Sequence, residues 1–317
     1  MVFPATALQV EIDAFFGFLP LVRDADVDAV HGARVVTRRL RETLPLFARS
    51  FPDDVRRVKR IVRRVGRRLG RVRELDVMEA DLARRAARMP MAQRAFTAAQ
   101  TTLASRQAAA RKKLIKALDD LRLERSSGLA LQHRRDWWRH PFDASMATGW
   151  AAVLRGRIAR RAEQLNGAID HAGGVYFPKR LHAVRIAAKK LRYSAELAGK
   201  GRLWCREDAL AVLKRTQDTL GRLHDADVLL KTIDRLVGKA DVDERELALV
   251  KGDIQGEISQ RHAKYLPQRA ELRTAVQACR DAADQIAPRR PQVVPVLALS
   301  AAAVVPAGLL VLGARDR

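Results

Sequence analysis

The sequence predicts an all-α protein composed of two related helical halves. Apolar residues recur with helical periodicity along most of the 317 residues, and no run alternates as a β-strand would. Aromatic residues make up only 5% of the chain, and Ala, Leu, Val and Arg dominate, which favours packed helices over sheets. A basic segment that begins with histidine occurs twice, 151 positions apart. This repeat predicts a duplicated helical domain.

Eight helices are predicted, four in each half. Prolines, glycines and serines separate them, in the order Pro20, Pro45, Pro52, Pro90, Ser126-Ser127-Gly128, Pro141, Gly173-Gly174 and Gly238. The expected bounds are about 5–19, 25–49, 53–88, 91–125, 145–172, 178–200, 206–237 and 242–285. Four helices form the usual bundle. We therefore assign residues 1–135 to a first bundle, 142–287 to a second, and 288–317 to a linker with an apolar tail.

The second and sixth helices carry the repeated segment. The first copy is HGARVVTRRLR from His31, and the second is HAVRIAAKKLR from His182. The same offset matches LGR at 69–71 with 220–222, and DV at 76–77 with 227–228. One gapless register over about 47 positions is hard to attribute to an arginine-rich composition.

Each copy places its cations on one face of a helix. At about 100° per residue, His31, Arg34, Arg38 and Arg41 fall within an arc of about 80°. The second copy repeats this face with His182, Arg185, Lys189 and Arg192. Like charges three and four positions apart repel, and residues 179–192 contain no acidic residue to offset them. We therefore expect an anion to supply the counter-charge.

The third helix extends the basic surface. Its residues 56–73 hold a run of Arg and Lys without a carboxylate, opposite a buried Val, Ile and Leu stripe. The seventh helix keeps Lys214, Arg215 and Arg222 at the positions that Arg63, Arg64 and Arg71 occupy in the third. If the helices of each half pack antiparallel, their basic faces converge into one groove. Gly70 and Gly221 would either permit close helix approach there or be tolerated mid-helix.

The repeated acids have two interpretations. Glu74, Asp76, Asp225 and Asp227 either orient the arginines through ion pairs or recruit divalent cations that accompany a polyphosphate. We favour the orienting role, because these acids are too sparse for a metal site. The sequence has no phosphate-binding loop of the GxxxxGK[ST] type and no nucleophile elbow. We expect no metal and no cofactor beyond such counter-ions.

A net charge of +24 predicts a polyanionic partner. Nucleic acid, an anionic membrane surface and inorganic polyphosphate all qualify on charge alone. Arginine suits any of them, because its planar guanidinium binds phosphate oxygens in pairs and stays charged.

At these motifs the sequence resembles the CHAD family, the conserved histidine α-helical domain. The motifs are HxxRxxxRRLR from His31 and LGRxRExDV from Leu69, then HxxRxxxKKLRYxxE from His182 and LGRxHDxDV from Leu220. They recur in order, and the resemblance covers about residues 5–285. It implies two four-helix bundles related by pseudo-twofold symmetry, with a basic central channel. It also implies binding of inorganic polyphosphate and association with polyphosphate granules.

By this resemblance the repeated cations become candidate polyphosphate ligands. They are His31, Arg34, Arg38, Arg39, Arg41, Arg60, Arg63, Arg64, Arg67, Arg71, His182, Arg185, Lys189, Lys190, Arg192, Lys214, Arg215 and Arg222. Many family members carry a triphosphate-tunnel domain with an ExExK strand, which this sequence lacks, so we expect binding without catalysis. Sequence-independent nucleic-acid binding is the alternative function, and a polyphosphate-processing phosphohydrolase is the third.

Two features bear on localisation. Cys205 and Cys279 have no metal or redox spacing, and no export signal begins the chain, so we expect a cytoplasmic protein. Residues 293–314 carry no charge and are long enough to span a bilayer, with Arg289 and Arg290 as flanking charges. A membrane anchor and an apolar tail without such a role are equally favoured interpretations.

Overall fold

The computed structural model describes residues 5–49, 52–126, 144–203, 206–236 and 243–286. Within these ranges the protein consists of α-helices and two short 3₁₀ helices, without a β-strand. The α-helices are α1 (Ala5–Arg23), α2 (Val27–Thr43), α3 (Pro52–Arg88), α4 (Gln93–Ser126), α5 (Ala144–Ala172), α6 (Pro178–Lys200), α7 (Glu207–Asp234) and α8 (Glu244–Gln285). The predicted all-α class is confirmed.

The largest differences from the sequence prediction are at the ends of two helices. α1 continues through Pro20 to Arg23, because a proline in the last turn removes only one backbone hydrogen bond. α2 ends at Thr43, and a 3₁₀ helix, Leu44–Phe47, follows with Pro45 in its first turn. The expected helix 25–49 is therefore two elements.

Local sequence explains where α2, α6 and α8 begin. Asp26 accepts a hydrogen bond from the backbone N–H of Ala29 at 2.6 Å and caps α2. Asp243 accepts one from the N–H of Arg245 at 2.8 Å and caps α8. Pro178 occupies the first turn of α6, where a backbone N–H would have no hydrogen-bond acceptor within the helix. The positions of the basic faces along α2 and α6 follow from these starts.

Neighbouring helices pack in chain order around a continuous apolar core. In the first half α1 packs on α2, α2 on α3 and α3 on α4; in the second, α5 packs on α6, α6 on α7 and α7 on α8, and α5 also contacts α8. Fully buried leucines line the core of both halves, such as Leu40 and Leu69 in the first and Leu191 and Leu220 in the second. Burial of these side chains is the main stabilising contribution.

The halves meet through corresponding helices: α2 contacts α6, α3 contacts α7, and α4 contacts α8. A twofold axis would bring these pairs together, although the symmetry and the domain bounds 1–135 and 142–287 stay predictions. The connection 127–143 lies outside the described residues.

The apolar tail 293–314, within segment 288–317, also lies outside the described residues. No helix in the part of the chain that the structure describes is long and apolar enough to cross a membrane.

Candidate functional site

Five cations from the two halves lie together where α2 meets α6. We call them the basic seam: Arg34, Arg38 and Arg41 of α2 with Arg185 and Lys189 of α6. Arg38 reaches across the halves and donates a hydrogen bond from Nη1 to the hydroxyl of Tyr193, 3.2 Å away. The two repeated segments, 151 residues apart in sequence, therefore form one surface.

The basic seam has no ion-paired counter-charge among the described residues, although Asp225 and Glu42 act on it electrostatically. Among the side chains that the structure describes, no carboxylate lies within ion-pair distance of any of the five cations. The Nε of Arg185 is buried and has no hydrogen-bond partner among them. An unpaired buried donor on a cation is costly, so the site is suited to an anion with several acceptor oxygens.

Burial and mutual repulsion shift the pKa values of the seam. Burial, followed by the charges of Arg38, Arg34 and Arg185, lowers the pKa of Lys189 to about 6. Burial, followed by Arg38 and Arg185, lowers the pKa of Arg34 to about 10. Burial also lowers the pKa of Arg185, and the carboxylate of Asp225 opposes this change. Charge is thus held here at a free-energy cost that a bound polyanion would relieve.

Two glycines leave room for the seam arginines. A Cβ at Gly70 of α3 would lie 3.8 Å from Nε of Arg34, and one at Gly221 of α7 would lie 3.6 Å from Nε of Arg185. Each arginine therefore passes over the glycine of the next helix, in the same way in both halves. Those distances are ordinary van der Waals contacts, so the helices themselves do not need glycine to approach.

The repeated histidines lie at the N-terminal ends of the two basic faces. Burial, then the charges of Arg73, Arg34 and Arg38, lowers the pKa of His31. His182 has its Nδ1 3.2 Å from Nδ1 of His224, so one ring donates and the other accepts. Burial and His182 lower the pKa of His224 to about 4.

Sequence reasoning assigned no role to His224, although a signal was present. Arg73 and His224 are separated by the same 151 positions as His31 and His182. Each repeated histidine is therefore accompanied by a second basic side chain at one equivalent position. Tyr193 belongs to the motif that begins at His182, but its role at the site was not predicted. Its contact with Arg38 depends on how the two halves meet.

The repeated acids divide into two pairs. Asp76 and Asp227 are buried and contact cations outside the basic seam: Asp76 accepts from Nη2 of Arg111 at 3.4 Å, and Asp227 from Nζ of Lys231 at 2.5 Å. Glu74 and Asp225 lie nearer the seam arginines. Asp225 is accessible to solvent, yet it lies in a recess where burial raises its pKa and Arg185 and Arg34 lower it.

The remaining α3 candidates lie on an exposed surface beside the seam. Arg60, Arg63 and Arg67 are exposed, and Arg63 and Arg67 act electrostatically on Arg41. Arg71 pairs with Glu74 at 3.1 Å, and Arg64 lies 3.8 Å from Asp120.

The remaining candidate ligands, which are Arg39 and those of the second half, are more dispersed. Arg192 pairs with Glu196 at 3.0 Å, and Arg215 pairs with Glu271 at 2.9 Å. Lys190 and Lys214 are exposed. Two candidates line cavities: Arg222 a cavity of about 1030 Å³ between α3, α7 and α8, and Arg39 one of about 330 Å³ beside Glu11. The structure therefore gathers five of the candidate ligands into the basic seam. The candidates described in this paragraph and the preceding one lie around that site.

Within the described ranges no three His, Cys, Asp or Glu side chains are arranged to hold a metal ion.

The fold and the site define an all-α protein with a cluster of partly buried cations, none of them ion-paired among the described residues, where its two halves meet. The family model described as CHAD domain matches residues 6–234, and the chain belongs to the CHAD family.

A solved CHAD structure has the same fold. The crystal structure of the CHAD domain from the plant Ricinus communis is similar, with a TM-score of 0.57 and 21% identity over 86% of this chain and 89% of that one. PptA from Streptomyces chartreusis has a TM-score of 0.48 and 18% identity over 89% of this chain and 96% of that one.

Two curated relatives are uncharacterized proteins from strains of Mycobacterium tuberculosis. Each is 31% identical over 194 residues, which represent 56% of this chain and 36% of the relative. The chain therefore spans about a third of the length of these relatives.

Proposed function

We propose that the chain binds inorganic polyphosphate at the basic seam, without catalysing a reaction on it. The observation that carries this proposal is the set of five adjacent cations for which the described part of the chain supplies no ion-paired carboxylate. A chain of phosphates offers many acceptor oxygens and would restore charge balance along the seam. Affinity would arise from these contacts and from counter-ion release, as for other polyanions.

The site chemistry favours polyphosphate over nucleic acid. Proteins that bind single strands without sequence preference offer aromatic platforms for bases, whereas this chain is 5% aromatic. Tyr193 is the aromatic side chain that contacts the seam, and its hydroxyl and ring are engaged by Arg38 and Arg192. A polymer without bases needs only the cations.

Removal of three seam cations tests the assignment. The variant Arg34→Ala/Arg38→Ala/Arg185→Ala should bind long-chain polyphosphate at least about a hundredfold more weakly, since each lost charged hydrogen bond contributes about 1.5–3 kcal/mol. Titration calorimetry at several salt concentrations measures this, and the salt dependence should also become shallower.

The matched control removes the same charge elsewhere. Arg94→Ala/Lys113→Ala/Lys264→Ala takes three exposed cations from α4 and α8. Equal weakening of the seam variant and this control would refute the site and leave only a general effect of net charge. Circular dichroism of both variants checks that the helices persist.

Sequence-independent nucleic-acid binding is the second candidate, and the net charge of +24 is the observation that favours it. Competition between long-chain polyphosphate and duplex DNA, at matched charge and physiological salt, separates the two. We expect polyphosphate to displace DNA at a lower concentration of charge. Equal displacement in both directions would contradict a preference for polyphosphate.

The wider assignments are also proposals. We propose a cytoplasmic protein associated with polyphosphate granules, in which divalent cations act as counter-ions to the polymer. Phosphohydrolase activity is the third candidate. Release of orthophosphate from polyphosphate in the presence of Mg²⁺ or Mn²⁺ would contradict the proposed absence of catalysis.

A further inference from the structure

A second cationic surface begins beside the basic seam and runs toward the start of α3. We call it the α3 strip: Arg60, Arg63 and Arg67. At about 100° per residue these three side chains lie within about 60° of arc, so they follow one face of the helix. All three are exposed, and among the described side chains none of them has an ion-paired carboxylate.

The α3 strip is continuous with the seam. Arg41 of α2 belongs to the seam, and the charges of Arg63 and Arg67 contribute to lowering its pKa, after burial. The charge of Arg38 also lowers this pKa, and the carboxylate of Glu42 opposes the three arginines. Arg41 is therefore the junction at which an anion bound in the seam would meet the strip.

The corresponding helix of the second half, α7, does not carry this strip. In α7 the positions 151 residues after Arg60, Arg63 and Arg67 hold Ala211, Lys214 and Asp218. Three positive charges on α3 thus correspond to a net charge of zero on α7.

The two halves also differ at the position of Arg41. Arg192 occupies the position that corresponds to Arg41, and it is paired with Glu196 at 3.0 Å. Pro45 stands in the first half where Glu196 stands in the second. The second half therefore neutralises the cation that, in the first half, leads out of the seam.

We propose that a polyphosphate chain longer than the basic seam leaves it on one side only, across Arg41 and along the α3 strip. This inference rests on the proposed function and adds a direction to it. Both halves contribute to the basic seam, but only the first half continues it, along the α3 strip. Short chains would occupy the seam, and only longer chains would also cover the strip.

A series of polyphosphates of increasing length, from tripolyphosphate upward, tests this in the full chain. Affinity of the unaltered protein should rise with length until the seam and the strip are both covered. Arg60→Ala/Arg63→Ala/Arg67→Ala should stop that rise at a shorter length and weaken long-chain binding about tenfold or more, while the shortest chains that bind keep their affinity.

Two variants provide the controls. Arg94→Ala/Lys113→Ala/Lys264→Ala removes three exposed cations that are not candidate ligands and should leave the length dependence unchanged. Ala211→Arg/Asp218→Arg builds the missing strip on α7 and should extend the rise to longer chains. Circular dichroism confirms that the exposed substitutions leave the helices in place.

Three results would overturn the one-sided path. They are an unchanged length dependence in the α3 variant, an equal loss for short and long chains, and an equal loss in the control that removes three cations elsewhere. A loss of DNA binding without loss of polyphosphate binding would instead assign the strip to nucleic acid and also overturn it. Absence of polyphosphate binding by the unaltered chain would refute the proposed function itself.

Discussion

Lys189 is the seam cation whose charge is held most weakly. Burial and three neighbouring arginines lower its pKa to about 6, from an ordinary value of 10.5. Above about pH 6 the free protein therefore holds this amine largely neutral. Bound phosphate oxygens would favour the charged form and raise the pKa again. Binding should then take up a proton at neutral and mildly alkaline pH.

The sign of the pH dependence follows from linkage. Affinity for polyphosphate should fall as pH rises above about 6, and the contribution of Lys189 should level off below that pH, where its amine is charged in both states. Titration calorimetry at pH 8 in buffers of different ionisation enthalpy counts the protons. Lys189→Arg should bind with a smaller uptake, because arginine stays charged throughout.

The histidines are the internal control for that measurement. The pKa values of His31 and His182 are lowered from 6.5, so both are neutral at pH 8 in the free protein. His31→Gln should therefore leave the uptake at pH 8 nearly unchanged. An uptake that is the same in the Lys189→Arg variant as in the unaltered chain would show that Lys189 is not the group that titrates.

Individual site residues were predictable where they repeat. His31, Arg34 and Arg38 stand in register with His182, Arg185 and Lys189, and the repeat marks them without knowledge of the fold. Which residue each of them contacts could not be predicted in this way. The contact between Arg38 and Tyr193 joins residues 155 positions apart, and its existence depends on how the two halves meet.

At the scale of elements, two glycines of the basic region differ in what surrounds them. A Cβ at Gly70 of α3 would make an ordinary contact with Arg34, whereas a Cβ at Gly32 of α2 would overlap the ring of Phe18. Both glycines are in helices and lack the positive φ that would exclude alanine. Their tolerance of a methyl group is therefore decided by packing.

Gly70→Ala and Gly32→Ala should have opposite effects on stability. Alanine is favoured over glycine in a helix by about 1 kcal/mol, so Gly70→Ala should raise the free energy of unfolding by about that amount. At Gly32 the overlap with Phe18 should cost about 1–3 kcal/mol and outweigh this gain. Urea unfolding followed by circular dichroism measures both. Equal stabilisation by the two substitutions would contradict the packing argument.

The helices were predictable because their signals are local. Apolar periodicity marks their length, and proline, glycine and serine mark most of their ends. The prediction failed at Pro20, where a proline in the final turn costs one hydrogen bond and the helix continues. It failed again after Thr43, where a 3₁₀ turn keeps a helical pattern of apolar residues.

At the scale of the whole molecule, an ion-pair network around the buried side chain of Arg85 joins the two halves. Arg85 of α3 is 1% exposed and contacts Asp253 and Glu257 of α8, together with Asp81 of its own helix at 3.1 Å. These side chains line the large cavity between α3, α7 and α8.

Arg85 could not be recognised from sequence. No residue of the same charge follows 151 positions later, where Leu236 stands, and its acidic partners on α8 are about 170 residues away.

This network should control both stability and the distance between the basic faces. Arg85→Met takes the shared cation from Asp81, Asp253 and Glu257, so the free energy of unfolding should fall by about 3 kcal/mol. Asp81 and Glu257 keep Arg84 and Arg261, whereas Asp253 has no other ion-pair partner among the described residues. Arg85→Met/Asp253→Asn/Glu257→Gln also removes the stranded charges and should recover most of that loss. Urea unfolding measures the stability of each variant. A single variant as stable as the triple one would contradict a stabilising role of the Arg85 network.

The Arg85 network should also set the spacing of α2 and α6. The triple variant keeps all five seam cations, but its halves are joined by weaker neutral contacts. It should therefore bind polyphosphate more weakly than the unaltered chain.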